Sequence, residues 1–196
     1  MKAVRLSQWQ SDPVLVEVDQ PTAGPGQVVI KIAGAGLCHS DVHLAHEFPP
    51  GLMPWEPPFT LGHENSGYIH EVGEGVEGFA PGEAVAVFGP WGCGTCPACQ
   101  RGQDTLCWAP LDGYKQAFGD GLGCDGGQAE YMLIPDPRFL VKIPDGVDPV
   151  GAAALTDAGL TPYHAIKLSV DKMVPGANVL LIGAGGLGHM GIQIIK

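Results

Sequence analysis

Basic residues are scarce. The chain of 196 residues carries 10 Lys and Arg against 21 Asp and Glu, a formal net charge of −11. Nucleic acids and anionic membrane surfaces call for basic patches, so neither is an expected partner. No uninterrupted apolar run approaches the roughly 18 residues of a membrane helix. The opening Met1-Lys2-Ala3-Val4-Arg5-Leu6-Ser7-Gln8-Trp9-Gln10 lacks a secretory apolar region. Cysteines number only 6, and four of them share one metal-like spacing, so a reducing cytoplasm is the expected location.

Glycine and proline are plentiful instead, 30 and 18, and they are scattered. That texture suggests many short strands and turns rather than disorder. A hydrophobic content of 45% is enough for a buried core. The length suits one large domain, or one domain and part of another.

Up to about residue 145 short apolar runs alternate with turns. Val14–Val18, Val28–Ala33, Ser66–Val72, Glu83–Phe88, Gln128–Ile134 and Leu140–Ile143 read as strands. Pro25-Gly26, Pro81-Gly82 and Asp145-Gly146 punctuate them, as in an all-β barrel or sandwich. After Pro149 the texture changes. Val150–Leu155 and Leu160–Leu168 read as helical, and 178–182 (Asn-Val-Leu-Leu-Ile) reads as a strand buried on both faces.

One excursion, about residues 90–110, holds Cys93, Cys96, Cys99 and Cys107 in a C-x2-C-x2-C-x7-C run. Two-residue spacers let the backbone fold back and aim successive sulfurs at one point. Four thiolates form the closed, tetrahedral zinc arrangement that holds a lobe together without an apolar core. A disulfide cluster and an iron–sulfur cluster are the competing readings. Four thiolates around one Zn²⁺ leave a negative charge that calls for N–H donors and a nearby cation; Arg101 lies inside the loop.

Behind 178–182 comes Gly183-Ala184-Gly185-Gly186-Leu187-Gly188, then an apolar helical pattern to Lys196. This is G-x-G-x-x-G between strand and helix, a dinucleotide-binding turn. Gly183 makes the turn, Gly185 admits a pyrophosphate, and Gly188 allows close packing. Gly186 and Leu187 open the helix whose N–H groups face the phosphates. The acidic ribose-binding residue expected ~20 positions on falls beyond Lys196. Only the first strand and helix of such a fold are present, so the chain is expected to be part of a longer enzyme.

A second ligand set combines distant loops. Cys38, His63 and Asp157 offer a thiolate, an imidazole and a carboxylate, three ligands with a fourth position open, as in a catalytic zinc site. From the residues alone, Cys38 reads equally as an inert core thiol and Asp157 as a helix cap.

Taken together, Gly36-Leu37-Cys38-His39-Ser40-Asp41, Gly62-His63-Glu64, the four-cysteine lobe and Gly183–Gly188 closely resemble the zinc-dependent medium-chain alcohol dehydrogenases. The resemblance spans the whole chain in the family's order. It implies a mixed β and α/β fold: a GroES-like β-barrel domain over 1–148 carrying two zincs, then the start of a Rossmann domain over 149–196. It implies oxidation of a primary or secondary alcohol to an aldehyde or ketone, or the reverse, with NAD or NADP, NAD being favoured. Cys38, His63 and Asp157 match the catalytic zinc ligands, with aspartate where many members have cysteine. Glu64 matches a carboxylate that can approach the metal, and Asp41 the acceptor that orients His63. Ser40 matches the hydroxyl beside the substrate, and His43 the outer member of a proton relay. Zinc makes the alcohol acidic enough to lose its proton near neutral pH. Homodimers or homotetramers are the implied assemblies. Polyol, threonine and glutathione-linked formaldehyde dehydrogenases are nearby alternatives; a non-catalytic, zinc-stabilised GroES-like module is the alternative of another class.

Trp55, Phe59 and Trp91 read as substrate-pocket walls or as packing. Cys124 reads as a plain thiol outside both sets. His39, His46, His70, His164 and His189 have no evident partner in the sequence.

Overall fold

A computed structural model describes residues 1–108 and 119–196; the last two residues of the expected 90–110 lobe lie outside them. Strands β1 (Lys2–Leu6), β2 (Val14–Glu17) and β4 (Phe59–Thr60) form an antiparallel sheet in the order β2-β1-β4. A second antiparallel sheet, in the order β10-β6-β5-β3-β9, joins β3 (Val28–Ala35), β5 (Asn65–Val72), β6 (Ala84–Val87), β9 (Tyr131–Ile134) and β10 (Leu140–Lys142). β7 (Gly119–Asp120) and β8 (Gly123–Cys124) make a short parallel pair.

All six runs read as strands from the sequence form strands within a few residues. β1, β4 and the short β7 and β8 are additions. β1 alternates weakly, yet Ala3 and Leu6 are buried. β4 is two residues at the end of the proline-rich loop. The larger sheet buries Val28, Ile30, Ile69, Val85, Val87, Met132 and Ile134, each at most 2% exposed. Full burial of such a side chain contributes about 1.5–3 kcal/mol, so this cluster is the main stabilising core.

β3 runs into helix α1 (His39–His46), where the sequence suggests a loop. The carboxylate of Asp41 at the third helical position accepts the Cys38 N–H at 2.9 Å, satisfying a donor at the helix start. Leu44 and Ala45 then pack against Leu6, Trp9, Trp55, Phe59 and Leu61. Trp55 lies 5.5 Å from Trp9 and 5.4 Å from Phe59, centroid to centroid. Trp91 stacks on Phe139 at 5.2 Å in the other cluster. All three aromatic candidates for a pocket wall thus pack within these clusters, and Trp91 also lines a cavity of about 330 Å³.

α2 (Pro149–Ala152) begins at Asp148, whose carboxylate accepts Val150 and Gly151 N–H groups, with Pro149 where a missing N–H costs nothing. It sits on the larger sheet: Ser66 Oγ donates to Pro149 O at 2.5 Å, and a Cβ at Gly34 would come within 2.7 Å of Val150 O. A 3-10 turn, Ala153–Thr156, leads to Asp157. α3 (Leu160–Lys167) and α4 (Gly186–Ile195) then pack on each other.

The expected strand at 178–182 does not form. Leu180 is 84% and Ile182 90% exposed. A parallel-type strand needs neighbours to take its N–H and C=O groups and layers on both faces to cover its side chains. Neither is present around 178–182 among the described residues. Among the described residues no helix is long and apolar enough to cross a membrane.

Candidate metal centres and cofactor turn

Three segments far apart in the chain converge at one point. Cys38 ends the β3–α1 link, His63 follows β4, and Asp157 ends the turn after α2. Their ligand atoms lie within 4.8 Å of one another. Asp157 Oδ2 is 3.8 Å from Cys38 Sγ and 3.6 Å from His63 Nε2. The other Asp157 oxygen accepts from Thr161 Oγ1 at 2.8 Å, so the carboxylate is aimed by α3 rather than spent on capping it. Asp41 Oδ1 faces His63 Nδ1 at 3.5 Å while Oδ2 holds the Cys38 N–H. One carboxylate thereby holds the backbone of one ligand and faces the ring of another.

The donor set fits a divalent cation. Asp41 and Glu64 are 3% and 5% exposed, and no Lys or Arg pairs with them or with Asp157 among the described residues. Crowded buried carboxylates are costly; a metal ion offsets them, as a protonated His63 does without one. Glu64 is seated over Gly36, where any Cβ would overlap its carboxylate.

At the second centre the sulfurs of Cys93, Cys96, Cys99 and Cys107 also lie within 4.8 Å of one another, with Cys93 and Cys99 at 4.0 Å. Tetrahedral zinc with Zn–S of about 2.3 Å sets sulfurs about 3.8 Å apart, and none of the six cysteines is in a disulfide. Cys96 N donates to Cys93 Sγ, Cys93 N to Cys107 Sγ, and Trp108 N to Cys96 Sγ, at 3.3–3.4 Å. Such donors stabilise thiolates. The Thr95 hydroxyl, then the Thr95 and Cys96 N–H groups, bring the Cys93 thiol down to about 5, whereas burial pushes Cys99 up to about 12. A cation is what lets all four ionise together.

The lobe's cation is Arg138, not Arg101. Arg101 is exposed and makes no ion pair among the described residues. Arg138 reaches across from the turn before β10, donates to buried Asp104 at 2.8 Å and to Gly92 O, and lies over Phe139 at 4.1 Å. Asp104 in turn accepts the Gly92 N–H at 3.2 Å. Nothing in the spacing of the cysteines pointed to a residue so distant.

Residues 24–145 match the model of the alcohol dehydrogenase GroES-like domain. The chain belongs to the GroES-like alcohol dehydrogenase family. It is 40% identical to an NAD-dependent alcohol dehydrogenase of Saccharolobus solfataricus over 204 residues, covering 100% of this chain and 55% of that one. The crystal structure of the alcohol dehydrogenase from Aeropyrum pernix superposes with a TM-score of 0.86 at 39% identity, over 100% of this chain and 56% of that one. A cobalt- and zinc-bound alcohol dehydrogenase from Pyrobaculum aerophilum superposes at 0.84 with 29% identity, over 100% and 56%. The chain spans about half the length of the relatives it matches.

The other residues singled out from the sequence lie on α1 and at the turn into α4. Ser40 Oγ is 3.5 Å from Cys38 Sγ. His43, one turn further, is half-exposed; its Nδ1 pairs with Glu47 at 3.2 Å and its ring meets His39 edge-on at 4.7 Å. Gly183 has φ +99°, which only glycine adopts readily, and Gly188 lies against the Gly183 carbonyl so closely that a Cβ would overlap it. Gly185 and Gly186 face open space, and Leu187 is 43% exposed. The glycine turn opens α4 even though the strand before it is not formed.

Three histidines without evident partners acquire them. His46 meets Asp12 at 3.6 Å, His70 meets Gln20 at 3.2 Å and lies tilted against Tyr131, and His189 Nδ1 meets Gly185 O at 3.0 Å. Cys124 stays outside both metal sets, its thiol pushed up to about 12 by burial.

The electrostatics of the first centre follow its charges. Burial opposes a charge on His63, but Asp157 and Asp41 outweigh it and raise the imidazole from 6.5 to about 11. Asp157 is held below the usual carboxylate range, chiefly by His63. Burial, then the Asp157 charge, lifts Glu64.

Proposed function

We propose that this chain is the zinc-carrying part of an NAD-dependent alcohol dehydrogenase, with a GroES-like domain over 1–148 and the opening of a Rossmann domain over 149–196. The convergence of Cys38, His63 and Asp157 within 4.8 Å carries the reading. Cys38 Sγ, His63 Nε2 and an Asp157 oxygen would hold a catalytic zinc, and Cys93, Cys96, Cys99 and Cys107 a structural one. When bound, the catalytic ion supplies Lewis acidity toward an alcohol or carbonyl oxygen, and NAD accepts or returns the hydride.

The chain's own residues handle the proton and the geometry. Ser40, beside Cys38, takes the proton of a substrate hydroxyl and hands it on. His43, on the same helix, passes it to solvent; its position at the surface and its contact with Glu47 suit that task. Asp41 fixes the tautomer of His63 by accepting from Nδ1, leaving Nε2 for the metal. Gly183–Gly188 receives the cofactor's pyrophosphate at the start of α4.

Metal content per chain tests the reading. Two zincs in the wild type, one in Cys38→Ala with its fold intact, and loss of the lobe's zinc in Cys93→Ala are expected. A single zinc untouched by Cys38→Ala would leave only a zinc-stabilised module.

A further inference from the structure

Behind the Cys38–His63–Asp157 triangle lies a buried polar pair with no part in the chemistry above. Asn65 and Asp120 are both 0% exposed. Asn65 Nδ2 donates to Gly62 O at 2.8 Å and to Asp120 Oδ2 at 2.6 Å. Both neighbours of that nitrogen are acceptors, so the orientation of the amide is not open to a flip. Gly62, with φ +98°, immediately precedes His63, and its carbonyl also accepts the Gly127 N–H at 3.0 Å. Gly127 makes room for the pair: a Cβ there would overlap Asn65 Oδ1.

The arrangement is expensive. Asp120 Oδ1 and Asn65 Oδ1 have no hydrogen-bond partner, and no Lys or Arg pairs with Asp120, among the described residues. A leucine, with the same branching but a larger volume, would avoid the penalty of a buried carboxyl. What leucine lacks is an acceptor to hold the Asn65 amide against the Gly62 carbonyl.

We propose that Asp120 is a positioning residue for His63: through Asn65 it locks the Gly62–His63 turn and so aims the imidazole at the metal. This rests on the reading of the triangle as a zinc site. The carboxylate comes from β7, beyond the cysteine lobe, and reaches the site only through the fold.

The test compares the two metal centres within one chain. Cobalt(II) and zinc affinities of each centre are measured by competition with a chelator, and the visible bands of cobalt at the nitrogen-containing centre are recorded. Asp120→Leu is expected to weaken the Cys38–His63–Asp157 centre about 10- to 100-fold and shift its cobalt bands, while the four-cysteine centre keeps its affinity. Asn65→Ala removes the same contact from the other side and is expected to do likewise, so either variant decides alone. Asp120→Asn, whose amide oxygen can still accept from Asn65, should restore affinity to within about a factor of three. Unchanged affinity in Asp120→Leu or Asn65→Ala, equal losses at both centres, or an Asp120→Asn as weak as Asp120→Leu would each overturn the proposal. A wild type that binds metal only at the four cysteines would instead remove the zinc reading on which it stands.

Discussion

Asp120 gives the chain a pH dependence of stability that can be isolated by one substitution. Burial, opposed in part by the Asn65 hydrogen bond, pushes its carboxyl from 3.8 to about 8. Between those values the folded chain holds a proton that the unfolded chain has lost. Folding stability therefore falls as pH rises through this window, by about 1.4 kcal/mol per pH unit for one proton. The contribution is whole below the unfolded value near 3.8 and gone above about pH 8. From pH 5.5 to 7.5 the loss is about 3 kcal/mol, a large share of the 5–15 kcal/mol typical of a domain. Asp120→Asn abolishes the titration while keeping size and an acceptor. Urea unfolding at a series of pH values with zinc in excess, followed by tryptophan fluorescence, measures both proteins. Other titrating groups cancel in the difference, which is expected to grow in favour of Asp120→Asn by about 1.4 kcal/mol per pH unit and level off above pH 8. Parallel curves for the two proteins would refute the assignment of a protonated, buried Asp120.

Gly36→Ala places a methyl on the Glu64 carboxylate. A loss of about 1–3 kcal/mol in urea and weaker cobalt binding at the Cys38 centre are expected. Arg138→Ala leaves Asp104 buried without its cation. It should cost about 3 kcal/mol and speed release of zinc from the four cysteines to a chelator. In the full-length enzyme, Ser40→Ala is expected to lower kcat about 100-fold or more with unchanged zinc content, since it removes a proton-transfer group and no ligand. A variant with normal kcat would take Ser40 out of the relay.

Features set by short-range chemistry were legible in the residues. The four-cysteine lobe needs only spacers short enough to turn the backbone back on itself, and Cys93 to Cys107 meet as the spacing implies. Alternating runs gave most strands, since period-two burial is a local pattern. Gly183 and Gly188 could be assigned because a left-handed φ and a close backbone approach each admit little else.

Long-range partners were a different matter. The helix at His39–His46 escaped because its burial depends on Leu6, Trp9 and Trp55, not on any strong period of its own. That Cys38 is a ligand candidate rather than a core thiol was decided by the seating of α2 on the sheet, which carries Asp157 to it across 119 positions. Arg138 on the cysteine lobe and Asp120 behind His63 were likewise placed by packing alone. The converse holds at 178–182, where a strand-like sequence forms no strand because ladder hydrogen bonds belong to pairs of strands. Sequence by itself determined which residues could ligate, turn or pack, since those properties belong to each side chain and its immediate neighbours. The tertiary structure decided which of them meet, because a pair of groups distant in the chain is joined only by the burial that folds the segments between them.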